Sequence, residues 1–109
     1  MELRPASYFV LAALLDGPLH GYAIAARARE LSGDNVRLTA GTLYGALERL
    51  SGRGLVRVER EETVEGRLRR YYALTGEGRE ALVAEADRLA SAARVVKRRR
   101  SARVARGVA

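Results

Sequence analysis

The chain has 109 residues, the length of one domain with a modest core and one appended element. It has no cysteine and one histidine, which excludes disulfides, thiolate metal sites and cysteine nucleophiles, so no metal or cofactor is expected. The formal charge of +7 suggests a polyanionic partner, yet through Ala93 there are 13 basic and 13 acidic residues, and the entire excess is the seven unmatched basic residues beyond it.

Pro5 opens the first helix, because its fixed φ suits the first helical position and its missing N–H would be unpaired there anyway. Tyr8, Phe9, Val10, Leu11, Leu14 and Leu15 make this helix largely apolar, and it is expected to run until Gly17-Pro18. The run Tyr8 to Leu15 is far shorter than the roughly 20 apolar residues that span a bilayer, and no small-residue cleavage pattern follows it. With no disulfide to protect, a cytoplasmic location without membrane contact is expected.

The stretch LHGYAIAARARELSG reads as a second helix with Tyr22, Ile24, Ala25, Ala28 and Leu31 on one stripe, closed by Gly33. His20, just before it, has a structural use at the helix start and, alternatively, a pH-sensitive one. A third helix begins after Thr39, whose hydroxyl can cap it; Leu43, Leu47 and Leu50 recur at helical spacing, and Gly54 suits a left-handed terminus.

From Leu55 the period changes to two: Val56 and Val58 alternate with Arg57 and Glu59, and Tyr72 and Leu74 with Tyr71 and Ala73. With Gly66 as turn residue this is a two-stranded hairpin. Thr75 then caps a last helix in which Leu82, Ala86, Leu89, Ala93 and Val96 form a seam at spacings of four and three. The preceding domain is too small to cover it, so a second copy is expected to do so, the alternative being that its first half packs on its own domain and the rest frays.

These elements compose a mainly α fold with a small β-hairpin: a winged helix-turn-helix over residues 1–75, a dimerisation helix over 76–100 and a disordered basic tail over 101–109. In such a fold the third helix is offered to the DNA major groove. Ala40 and Gly41 are small enough for close approach, Thr39 and Thr42 add hydroxyls at the positive helix end, and Tyr44 and Arg49 can reach phosphate or base. Each also has a structural use, as cap, packing group or ion-pair partner.

In the wing, alternation puts Arg67 and Arg69 on one face, within reach of a phosphate line, although Glu61, Glu62 and Glu65 stand nearby. Tyr8 and Phe9 are candidates to line an effector pocket against a partner's last helix, or simply to fill that interface. An enzyme is not expected, because a lone histidine without a nucleophile motif assembles no catalytic set.

The segments GPLHGYAI, GTLYGALERLSGRGLV and RRYYALTGEGREAL, in this order and spacing, resemble the PadR family of bacterial transcriptional regulators, in its short form with one C-terminal helix. The resemblance runs from Tyr8 to about Val96. It implies a homodimeric repressor whose third helices and wings bind a palindromic operator in double-stranded DNA, with release by a small-molecule effector or another signal. The family often has Ser-Pro before Gly-Thr-Leu-Tyr and proline after it, where this chain has Thr39-Ala40 and Gly45, and many relatives are more basic at Leu68. The alternative is a winged-helix protein-interaction module with a basic tail that binds nucleic acid without sequence preference.

Overall fold

A computed structural model describes residues 2–107. Helix α1, Pro5–Ala13, has Pro5 in its first turn and packs Val10 and Leu11 fully into the core. It ends several residues short of Gly17-Pro18. The N–H groups of Leu14, Leu15 and Gly17 bond three residues back, at 3.1, 3.2 and 3.3 Å, which tightens the chain into turns and leaves Leu15 exposed. Gly17 completes the reversal at φ 137°, a value only glycine adopts readily.

Strand β1, Leu19–His20, leads directly into helix α2, Gly21–Leu31. His20 caps α2 through its ring, whose Nδ1 accepts the Ala23 N–H at 3.4 Å. Ile24 and Ala28 carry the buried stripe. Tyr22 does not belong to it: two residues from Ile24 at about 100° per residue, it lies on the opposite face and is 82 % exposed. Leu31, in the last turn, is also exposed.

Helix α3, Ala40–Gly52, starts where expected: Thr39 Oγ1 accepts the Thr42 N–H at 3.2 Å. Leu43, Ala46, Leu47 and Leu50 are buried against α1 and α2. Gly54, at φ 74°, ends this segment, with the Leu55 N–H returning to Leu50 O at 2.9 Å.

Strands β2, Val56–Val64, and β3, Arg67–Leu74, form the wing hairpin. Its turn residues Glu65 and Gly66 both have positive φ, 51° and 78°, the twist that a two-residue hairpin loop requires. The sheet, however, has three strands rather than two. Leu19 and His20 pair with Tyr72 and Tyr71, giving the order β1-β3-β2. Two residues carry too little pattern to announce a strand, and only the fold brings them to the β3 edge. A bulge at Glu59, between the pairs Val58–Tyr72 and Arg60–Tyr71, shifts the β2 register so that simple alternation fails beyond Val58.

Thr75 joins the wing to helix α4. Its hydroxyl donates to Gly54 O at 2.6 Å and accepts the Gly78 N–H at 2.9 Å. Gly78 sits so close that a Cβ there would lie 2.0 Å from Leu55 O. Helix α4 spans Gly76–Gly107, 32 residues or about 48 Å. It therefore continues past Arg100, where the sequence led us to expect a disordered tail. Ala and Arg favour helix, no proline intervenes, and the basic residues suit the negative C-terminal end. The rest of that tail, residues 108–109, lies outside the described residues.

Candidate nucleic-acid interface

The four buried residues of α3 define its inner face, and the opposite face exposes Gly41 and Glu48 with Tyr44 and Arg49 at its edges. Thr39, Ala40, Gly41 and Thr42 are all exposed in or before the first turn, so the leading end carries no bulky side chain. The two threonine hydroxyls bond each other at 3.0 Å, and Thr39 also caps the helix. Structural and groove-facing uses are thus compatible at these positions.

Tyr44 leans onto the start of α2. A Cβ on Gly21 would fall 2.4 Å from its hydroxyl, so the bare backbone at Gly21 permits this placement. Arg49 lies back along its own helix, with Nη1 3.5 Å from where a Gly45 Cβ would stand, and among the described residues it forms no ion pair.

In the wing three of the four glutamates have their own partners, and Glu65 at the turn has none among the described residues. Glu59 pairs with Arg57 at 3.5 Å, Glu61 with Arg70 at 3.3 Å, and Glu62 with Arg60 at 2.9 Å. Arg60 also stacks over the Tyr71 ring at 4.0 Å. Arg67 and Arg69 keep their guanidinium groups without an ion-pair partner among the described residues, both exposed.

A polar concavity of about 600 Å³ opens between these parts, where His20, Gly21 and Tyr22 around the start of α2 and Tyr44 from α3 face Glu65, Arg67, Arg69 and Arg70 of the wing. Burial, and then the charge of Arg69, lowers the His20 pKa below its usual 6.5. The neutral ring is also the form able to accept the Ala23 N–H. Of the residues expected from sequence, Tyr44, Arg67 and Arg69 converge here; Arg49 stays apart, over Gly45. Tyr22 joins them although its sequence stripe suggests the core, and its two-residue offset from Ile24 is the signal for an outward face.

A second concavity, about 620 Å³, lies between α1 and α4 and is lined by Leu3, Pro5, Tyr8, Phe9 and Leu89 with Glu85 and Arg88. Tyr8 and Phe9 meet edge to face at 5.1 Å. Glu85, buried on α4, accepts the Leu3 N–H at 3.2 Å and two bonds from Arg88 at 2.7 and 2.9 Å. These bonds, Arg88 foremost, pull its pKa down to about 2. No sequence motif flagged this pair, since Leu3 is 82 residues away in the chain. The expected seam divides in two: Leu82 is buried in the chain's own core and Ala86 is half-buried, whereas Leu89, Ala93 and Val96 are exposed. Leu82 is thus corrected from seam residue to core residue, because the first turns of α4 pack on α1.

The sequence profile of the transcriptional regulator PadR-like family matches residues 10–84, which is most of the chain. The chain belongs to the PadR-like family. Transcriptional regulator Rv3488 of Mycobacterium tuberculosis is 41 % identical over 81 residues, 74 % of this chain and 72 % of that protein. An uncharacterized 37.1 kDa protein in transposon TN4556 of Streptomyces fradiae is 49 % identical over 90 residues; these cover 83 % of this chain but span only 24 % of that protein's length. Among solved structures, a PadR family transcription regulator from Clostridium difficile R20291 has TM-score 0.74 at 26 % identity, covering 87 % of this chain and 97 % of that one. Bacillus subtilis PadR in complex with operator DNA has TM-score 0.65 at 26 % identity, covering 74 % of this chain and 47 % of that one.

The PadR-like fold accounts for the three-stranded sheet and the long final helix together. Among the described residues, no helix is long and apolar enough to cross a membrane, and no group of three or more His, Asp or Glu residues is placed to hold a metal ion.

Proposed function

We propose that this PadR-like chain is a homodimeric, sequence-specific DNA-binding repressor acting in the cytoplasm, with residues 1–75 as the DNA-binding unit and α4 as the dimerisation element. The observation that carries the reading is the polar concavity where Tyr44 of α3, the start of α2, and Arg67 and Arg69 of the wing meet beside the bare first turn of α3. A duplex laid against that surface presents a phosphate to the arginines and tyrosine while α3 enters the major groove. Because Glu59, Glu61 and Glu62 are already paired, they oppose a phosphate there less than free carboxylates would. Likeness to Bacillus subtilis PadR, whose structure holds operator DNA, supports the same choice.

Dimerisation is supported by the outer length of α4, where Leu89, Ala93 and Val96 stand exposed in a stripe that the chain itself does not cover. A second copy packed along Leu89, Ala93 and Val96 would bury it and set two recognition helices about one helical turn of DNA apart. The cleft at Tyr8 and Phe9 adjoins that seam, which makes it the place for a small apolar effector to act on dimer geometry.

The test is footprinting on DNA upstream of the protein's own gene. A two-fold protected site is expected, with affinity falling steeply as salt rises and lost in the double variant Tyr44→Ala/Arg49→Ala, while the dimer persists. Normal footprinting by that variant would overturn the assignment of α3. Should truncation after Ala93 abolish sequence preference while folding and dimerisation survive, the reading of a basic tail that binds without preference would replace it.

A further inference from the structure

We infer that Glu48 determines specificity by accepting a hydrogen bond from the exocyclic amino group of a cytosine in the major groove; this rests on the DNA-binding reading above. At about 100° per residue, the centre of the α3 face opposite its buried leucines is occupied by Gly41, Gly45, Glu48 and Gly52. Three of the four have no side chain. Nothing packs on Gly41 or Gly52, where a Cβ would meet no atom within 4 Å, and at Gly45 it would meet only Arg49. None of the three has positive φ. Neither packing nor backbone conformation requires glycine at these positions, and each weakens the helix. What the glycines provide is close approach of the helix backbone, with Glu48 as the single side chain projecting from the middle of the bare strip.

The charge of Glu48 points the same way. Glu30 on α2 pairs with Arg27 at 2.6 Å, and Glu59, Glu61 and Glu62 on β2 pair with arginines. Glu48 has no hydrogen bond or ion pair among the described residues, although Arg49 is its neighbour and lies instead over Gly45. An unpaired carboxylate on a surface that meets a polyanion weakens binding unless it finds a donor. The major-groove edge offers two amino donors. On adenine's own edge N6 stands beside the N7 acceptor, whose lone pair repels a carboxylate, whereas on cytosine's own edge N4 stands beside C5–H. Guanine and thymine present acceptor oxygens, which Glu48 would reject. The residue therefore selects cytosine and excludes the other three bases at one position in each half-site.

The test selects binding sites for the full-length protein from a randomised duplex library, with wild type, Glu48→Ala and Glu48→Gln in parallel. Glu48 is exposed, so neither variant disturbs the core. Wild type should enrich a two-fold site with one cytosine position per half-site that Glu48→Ala relaxes while preserving the others, and Glu48→Gln should move that position toward adenine. Changing that cytosine to thymine should weaken wild type about tenfold and leave Glu48→Ala unaffected. The inference is overturned if Glu48→Ala binds every sequence more tightly with unchanged base preference, since the carboxylate would then act only by repulsion. A wild type that enriches no sequence overturns the DNA-binding reading itself, a result distinguishable from the former.

Discussion

The winged body and the outer length of α4 are both regular structure, but they are stabilised by different things. In the body, α1, α2 and α3 close on one apolar cluster, and among the described residues no buried side-chain polar atom lacks a hydrogen-bond partner. From Asp87 to Arg103 every side chain of α4 is exposed, Leu89, Val95 and Val96 among them, and none belongs to the core cluster. The lesson is that the body's structure is held by burial, whereas outer α4 relies within the chain on helix propensity.

The contrast can be broken most severely at the junction between the two regions. Gly78→Ala would drive a Cβ against the Leu55 carbonyl, and because backbone meets backbone there, no side chain can yield. A loss of about 3 kcal/mol is expected in chemical denaturation, at the upper end for overpacking. A smaller and different effect is expected from Leu89→Glu/Val96→Glu. Sedimentation should show the dimer dissociation constant raised by at least about tenfold, or about 1.4 kcal/mol, while circular dichroism still reports a folded body. If that variant unfolds the body instead, the division drawn between the regions is wrong.

Gly21→Ala sharpens the contrast within the body. The colliding atom is the end of the exposed Tyr44 side chain, which can swing away, so the melting temperature should hardly move. Displaced Tyr44 should nevertheless cost operator affinity, by about tenfold for one charge-assisted phosphate contact.

A pH-dependent effect is expected at Glu85, where α4 is tied to Leu3. Its folded pKa of about 2 lies below the ordinary 4.5, so its contribution is complete above pH 4.5 and is lost as the pH falls toward about 2. Denaturation midpoints measured across that window should fall for wild type and fall less for Glu85→Gln, the remaining slope coming from the other carboxylates.

Much of the body was legible because its signals are local. Pro5, Thr39, Gly54, Gly66 and Thr75 each act through their own turn or cap, and all five stand in the roles their chemistry suggested. Leu43, Leu47 and Leu50 are buried as their spacing implied. What escaped depends on contacts distant in sequence. The pairing of Leu19–His20 with β3, the Leu3–Glu85 tie, the bulge at Glu59 and the placement of Tyr44 over Gly21 leave no periodic trace. The α1 boundary escaped for a related reason, since tightened turns from Leu14 onward look no different from helix in an apolar run.

By itself the sequence determined the order of the four helices and the hairpin, the family, and which α3 residues face inward, because helix period, capping and turn conformation act within a few residues of each other. Only the tertiary structure decided that Leu82 serves the protomer's own core, that Glu59, Glu62 and Glu61 are occupied by Arg57, Arg60 and Arg70, and that Tyr44, Arg67 and Arg69 share one concavity. Those outcomes turn on where β3 and α4 pack in space, and packing joins residues by distance, which spacing along the chain does not encode.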